Sequence, residues 1–576
     1  MRTLFHSACA ALALALLTAC GGGSSTTGDN ANADTTAYTL YHGGDIVTME
    51  GDSAQYAEAL VIGNGTIAFV GSKDDALAKY PKATAVDLQG RTMVPGFVDG
   101  HCHFSGFGAQ AVSANLLASP DGTCDNMEQL VTALKEWHAK NGTDLTAGWI
   151  IGMGYDDAVL TENRHPTRED LDKVSTEVPV MCVHISGHFS AVNSKGLEVL
   201  GITMASKDPE GGVIRRMKGS KEPNGVLEEL AAIPHMLKVI SPAEPELADL
   251  YMDRGQAMAA SYGYTTANEG RAMTNHEQMA DYARRGKFYL DVMSFVDYTF
   301  PQYMRSEWYG RSYKNHYRVA GYKLTLDGSP QGRTAWRTQP YLLPPDGQKK
   351  GYAGYPALPD DKAVQAIVDS AFANNWQLKV HCNGDAALDQ LCRVLGPAVA
   401  RYGNNDRRTA LIHGQLIRMD QLDSLKKYDV YASLFPMHTF YWGDWYKQII
   451  GPEAAQHISP IRSALNKGLR VNSHTDAPVA FPNLMMILWT TVNRVSRSGE
   501  VMGPEERLTP YEALKCITIW GAEMFFEEDR KGTLAPGKLA DLVILDKNPL
   551  KVDPMAIKDI RVMETIKEGR TVYARQ

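Results

Sequence analysis

The chain has 576 residues, more than one simple hydrophobic core organises, so a large domain with a smaller companion is the first expectation. Hydrophobic residues at 44% and charged residues at 22% are those of an ordinary globular chain. A net charge of -8 argues against nucleic acid as a partner, and no Walker-type loop, dinucleotide fingerprint or short internal repeat is present.

Met1-Arg2 leads into an apolar run from Ala8 to Leu17, too short for a mature bilayer span and suited to a signal peptide. "LTAC", Leu17 to Cys20, resembles the lipobox of bacterial lipoproteins. Residues 1–19 are then the signal, Cys20 the lipidated residue and 20–37 a flexible tether, "GGGSSTTGDNANADTT". A plain secretory signal cleaved near Ala19 is the alternative. The resemblance implies the periplasmic side of a bacterial membrane, held by lipid alone, and Gly21 after the cysteine resembles outer-membrane sorting. Outside the export signal, Cys102, Cys124, Cys182, Cys382, Cys392 and Cys516 show no CxxC spacing, so no cysteine metal site is expected and no pairing can be deduced.

From Tyr38, short strands alternate with turns, and Asn64-Gly65 between two apolar runs signals a hairpin. A similar pattern returns in "GTLAPGKLADLVILD" and "ETIKEGRTVYA". Residues 38–95 and 527–576 are therefore expected to form one small β-sandwich built from both ends. Between them, 96–526 alternates apolar runs with helical stretches, the pattern of βα units and a parallel sheet. Candidate strands end at His101–His103, Thr266, Val296, Lys323, His381, His413, Phe435 and Asp476. Eight such strands close a TIM-like (β/α)8 barrel. A ninth, Val178 to Ile185, is assigned to an insertion of about residues 105–250 after the first barrel strand.

Catalytic residues of such barrels sit at the C-terminal strand ends. In "PGFVDGHCHF", His101 and His103 are two apart and share a face. In "GYKLTLDGS", Lys323, Thr325 and Asp327 face inward. His381 ends "WQLKVH", His413 ends "TALIHG", and "LRVNSHTD" places Asn472, His474 and Asp476 on one face. One histidine at a strand end is usually just a satisfied polar group. Several N and O donors converging on one barrel mouth are what a zinc-type ion requires.

These residues resemble the metal-dependent amidohydrolase superfamily, in particular its branch of N-substituted formamide deformylase-like proteins. "PGFVDGHCH" is similar to the HxH opening motif, "YKLTLDGSPQGRTA" to the lysine strand, and "HCNGDAA", "LIHGQ" and "SHTDAPV" to the strands that follow. "ISGHFSAVNSKGLEVLGI" and "PEGGVIRRMKGSKEPNGVLEE" resemble segments particular to the branch. The likeness runs from about Tyr38 to the C-terminus. Two departures stand out: Ile412 occupies a position usually held by glutamate, where alternation should turn it from the mouth, and His474 is unusual two residues before the aspartate.

The resemblance implies zinc or a similar divalent ion, one or two per site, held by His101, His103, Lys323, His381, His413 and Asp476. Lys323 is either carboxylated to a bridging carbamate or an unmodified lysine beside one zinc. Asp476 has the catalytic part, taking the proton of the attacking water and passing it to the leaving atom. His188, His438 and Arg333 are candidates for substrate contact, and Tyr441, Trp442 and Trp445 for an aromatic wall. A small-molecule substrate is implied and a homodimer is compatible with it. Hydrolysis of a non-peptide carbon–nitrogen bond is the first reading, an esterase or lactonase on the same site the second, and a non-catalytic binding lipoprotein the third.

Overall fold

The computed structural model describes residues 37–209, 212–240, 244–345 and 348–576. Cys20 and the expected export signal lie outside the described residues. Eight parallel strands form one sheet in chain order: Phe97–Val98 (β1), Tyr264–Ala272 (β2), Asp291–Asp297 (β3), Tyr317–Thr325 (β4), Gln377–Cys382 (β5), Ala410–His413 (β6), Tyr431–Leu434 (β7) and Val471–Ser473 (β8). Beyond the last paired residues, the Asp476 N–H donates to the His101 carbonyl at 2.9 Å and the His103 N–H to the Ala477 carbonyl at 2.8 Å. Those bonds join β8 to β1 and close the barrel at its mouth. The strands are the eight expected, with β2 running on past Thr266 to Ala272.

Alternation along each strand separates two apolar layers. Leu378, Val380 and Leu411 face the surrounding helices, whereas Met293, Phe295, Ala410 and Ile412 fill the lower interior above Met524 and Phe525. Each such large side chain buried contributes about 1.5–3 kcal/mol. Ile412 therefore points into the barrel, below the mouth. Regular alternation would then send His413 outward, but its backbone adopts φ 76° and swings the ring back to the mouth.

The two chain ends share one sheet of eight strands. Thr92–Pro95 pairs antiparallel with Leu542–Leu545, so the amino- and carboxyl-terminal segments are hydrogen-bonded side by side. The Asn64-Gly65 turn joins Tyr56–Gly63 to Thr66–Gly71, both turn residues having positive φ, 51° and 78°. This sheet meets the barrel floor through a buried ionic knot: Asp291, at the start of β3, receives Lys531 Nζ at 2.5 Å and Lys567 Nζ at 2.8 Å.

Between β1 and β2 the chain builds a third sheet, of six strands, in which Val180–His184 lies between Phe189–Val192 and Ile150–Tyr155. Helices Phe104–Ala111 and Pro245–Ser261 lead into and out of it, crossing where Gly108 meets Tyr251: a Cβ on Gly108 would stand 2.3 Å from the Tyr251 carbonyl oxygen. No helix among the described residues is long and apolar enough to cross a membrane.

Candidate metal centre

The strand ends converge on a cavity of about 210 Å³ lined by His101, His103, Lys323, His381, His413 and Asp476, with His188 and His438 on its wall. Its core is the trio His101, His103 and Asp476. Asp476 Oδ1 is 3.7 Å from His101 Nε2 and 3.5 Å from His103 Nε2. That oxygen is buried without a hydrogen-bond partner. Two ligand atoms about 2.0–2.2 Å from one tetrahedral ion stand roughly 3.3–3.6 Å apart, so the spacing and the unsatisfied oxygen both fit a shared divalent cation.

Electrostatics agree. Burial, with Lys323 and Lys379 nearby, holds the His101 imidazole well below its ordinary range. His413 is depressed likewise by burial and by His381 and His474. Both rings are neutral at pH 7, with a nitrogen lone pair to give. His103 goes the other way: burial pulls its pKa down, but the Asp476 and Glu269 carboxylates overcome that and push it up to about 9.

Lys323 Nζ lies 3.1 Å from His101 Nε2. Burial draws this amine down to about 7, against the opposing pull of Asp476. Asp327 is not its ion-pair partner, because its carboxylate accepts the backbone N–H groups of Asn383, Gly384 and Trp336 at 2.9, 2.7 and 3.0 Å. His381 and His413 stand edge to face, ring centroids 4.6 Å apart. His474 lies behind them, its Nε2 3.1 Å from His413 Nδ1 and its ring stacked on Phe435.

Two supports had not been singled out in the sequence. Glu269 faces His103 Nδ1 at 3.5 Å and is itself held by the Ser105 N–H and hydroxyl at 2.9 and 2.6 Å. Its signal was an acidic residue in "TTANEGRA", beyond where β2 was expected to end. Asp99 accepts the His101 and Thr475 N–H groups at 3.0 and 3.1 Å, and the Tyr264 hydroxyl at 2.9 Å, tying the HxH segment to the Asp476 turn. Close packing does the rest: a Cβ on Gly270 would stand 2.0 Å from His101 Cε1, and one on Gly100 would stand 2.5 Å from Asn472 Oδ1.

His188 and His438 do line the cavity. His188 Nδ1 is 2.8 Å from Glu229 Oε2, and its loop is fixed by Ser186, whose hydroxyl sits 2.8 Å from His184 Nδ1. His438 packs on Phe435, and burial holds its pKa down to about 3. Arg333 does not line the cavity; its guanidinium donates to the Leu343 and Pro344 carbonyls at 3.3 Å and lies over Trp445. The aromatic residues form no wall. Trp442 donates to Asp156 Oδ2 at 3.0 Å, Tyr441 donates to Asp121, and Trp445 donates to the Gln331 carbonyl at 3.2 Å, so the first two tie the barrel to the insertion.

Two other acid–histidine groups occur among the described residues, and in both the would-be ligand atoms are already engaged by protein partners. In Asp156–Asp157–His184, the Ser186 N–H donates to His184 Nδ1 at 3.1 Å, so Nε2 carries the proton and donates to Asp157 at 3.0 Å. In Asp291–His316–Glu568, the aspartate already holds two lysines, Lys531 and Lys567.

Residues 84–573 match the model of the amidohydrolase family. The chain is 26% identical to YtcJ of Bacillus subtilis (strain 168), over 93% of this chain and 99% of that one. It is also 26% identical to the N-substituted formamide deformylase of Arthrobacter pascens, over 90% and 95%. Among solved structures, an uncharacterized metal-dependent hydrolase from Pyrococcus horikoshii OT3 superposes with a TM-score of 0.70 at 23% identity, covering 93% of this chain and all of that one, which bears on the fold alone.

Proposed function

The chain belongs to the amidohydrolase family of hydrolases acting on carbon–nitrogen bonds, and on that premise we propose that it cleaves a small non-peptide amide or formamide at the barrel mouth. The observation that carries this reading is the buried, unpartnered Asp476 Oδ1 between His101 and His103. These three residues would hold one divalent ion, zinc by the nature of the donors, and His381 with His413 a second. Such an ion, when bound, lowers the pKa of a coordinated water toward ~7 and polarises the scissile carbonyl.

The remaining work falls to the chain's own groups. Asp476 orients the attacking water, accepts its proton and delivers it to the leaving nitrogen, so that the acyl–nitrogen bond breaks without expelling a free amide anion. Lys323 would supply an anionic ligand for such ions if its amine added carbon dioxide, a step that forms an N–C bond and releases one proton. Support for that step is geometric: the amine stands 3.1 Å from His101 Nε2, and Asp327 is engaged elsewhere. His188, its Nδ1 engaged by Glu229, presents its other nitrogen to the substrate, and His438 closes the wall behind. The amide or formamide class is supported by the likeness to the Arthrobacter deformylase.

The test is a hydrolysis screen of metal-loaded protein over amides, formamides, cyclic amides and esters, with a His101→Ala/His103→Ala variant in parallel. Amide or formamide turnover in the parent, and its loss together with metal in a folded variant, is the expected result. Turnover of esters alone, or turnover without metal, sinks the reading.

A further inference from the structure

Arg271 has no part in the chemistry above, yet its side chain lines the same cavity. It sits on β2 two residues after Glu269, within the register shift that separates Glu269 from Ala272, and the cavity lining itself places its side chain at the mouth. Its Nε donates to Asp297 Oδ2 at 2.6 Å, and the side chain is 44% exposed. Asp297 is only 2% exposed, and its other oxygen is taken by the Thr299 N–H and hydroxyl at 3.0 and 2.6 Å. The guanidinium is thus anchored at one edge, its terminal NH2 groups having no recorded partner among the described residues.

The charge balance of the cavity leaves that fork with one kind of use. Of the residues lining it, Arg271 and Lys323 are the only lysine or arginine, and Asp327 and Asp476 the only carboxylates. Asp327 is filled by three backbone amides, and Asp476 faces the histidines. No cavity carboxylate is left for Arg271. A planar fork held rigid at the rim of a small site matches a carboxylate in two-point contact, and repels an ammonium.

We propose that Arg271 is the residue that selects substrates bearing a carboxylate within a few bonds of the scissile amide, which makes N-acyl or N-formyl amino acids the substrate class. This rests on the amide-hydrolase reading of the same site, and the substrate leaves as an amino acid and a short carboxylic acid. The cavity of about 210 Å³ suits a small acid of this kind and not a long peptide.

The experiment compares two matched series on metal-loaded protein: N-acetyl and N-formyl amino acids, and N-acetyl and N-formyl alkylamines of the same size. The parent should favour the acids. Arg271→Gln should raise KM for the acids by about tenfold to a hundredfold, the range for a hydrogen bond to a charged group. Their kcat should change far less, and the alkylamides should be unaffected. Arg271→Lys keeps a cation beside Asp297, so it should keep the parent's melting temperature and recover part of the preference for acids. If the parent turns over both series equally, or Arg271→Gln impairs both alike, the assignment is overturned while the hydrolase reading stands. If neither series is turned over, the hydrolase reading fails for these amides, and N-acetylglycine binding decides the anion site. Thermal protection of the parent but not of Arg271→Gln supports the site, and equal protection or none overturns it.

Discussion

Glu269 Oε1 lies 3.5 Å from His103 Nδ1, on the side of the ring opposite the Nε2 that faces Asp476. A carboxylate behind a liganding imidazole fixes which nitrogen faces the ion and raises its basicity, and losing such support typically costs about 10–100-fold in metal affinity. Glu269→Gln should therefore bind zinc about 10–100-fold more weakly with the fold intact, as read by chelator competition and circular dichroism. Unchanged metal retention would show that His103 needs no support from β2.

At the opposite end of the barrel, Asp291 receives two ammonium groups, from Lys531 and Lys567, all three side chains being 3% exposed or less. Burial by itself would raise the Asp291 pKa, but Lys531 and Lys567 hold it well below the ordinary carboxylate range. A folded pKa below the unfolded one of about 3.9 means the contribution to stability is full above that value and fades as pH falls below it. Asp291→Asn removes one anion from the knot while Lys531 keeps Glu527 at 2.6 Å and Lys567 keeps Asp541 at 2.9 Å, so it should cost about 1.5–3 kcal/mol near neutral pH, the range for hydrogen bonds to charged groups. Urea midpoints of parent and variant should converge as pH is lowered toward 3. A constant gap across that range would refute the assignment.

The barrel and its candidate ligands were legible because five of the eight strands end where an apolar run meets a histidine, lysine or aspartate, and period-two alternation says which of those face inward. What was not legible depended on contacts distant in sequence. Glu269 and Arg271 fall in "NEGR", a polar run that reads as a loop, but β2 continues through it because β3 on one side and the Cys102–His103 segment beyond β1 on the other supply partners. Trp442 and Tyr441 are spent on Asp156 and Asp121, 286 and 320 residues away, a tie that no local pattern announces. His413 faces the mouth only through a backbone turn at φ 76°, where alternation predicts the opposite once Ile412 faces inward.

The expected lipid anchor makes a separate prediction. With "LTAC" read as a lipobox, Cys20→Ala should leave the protein unprocessed or release it from the membrane. Fractionation of cells expressing parent and variant checks this, with metabolic palmitate labelling of the parent as the positive signal. A variant that stays processed and membrane-bound removes Cys20 as the anchor.

Lys323 and Asp476 separate one ion from two. If Lys323 carries the carbamate, it is the side-chain anion shared by both ions, and Lys323→Ala should lose metal together with nearly all activity. A short carboxylic acid such as acetate or propionate fits the space vacated by the side chain and should restore part of both, in proportion to its concentration. Asp476→Asn removes a ligand oxygen's charge but leaves His101 and His103 in place, so it should keep more metal than Lys323→Ala. Its turnover should fall by at least the ~10²–10⁴-fold that a positioned proton-transfer group typically contributes. Added carboxylic acid should not help the asparagine variant, since the lost function there is proton transfer at one oriented oxygen. Metal content by elemental analysis, read beside kcat for both variants, distinguishes the roles. Should Lys323→Ala keep its full metal content and near-normal turnover, Lys323 is an ordinary buried amine and the centre holds a single ion on His101, His103 and Asp476.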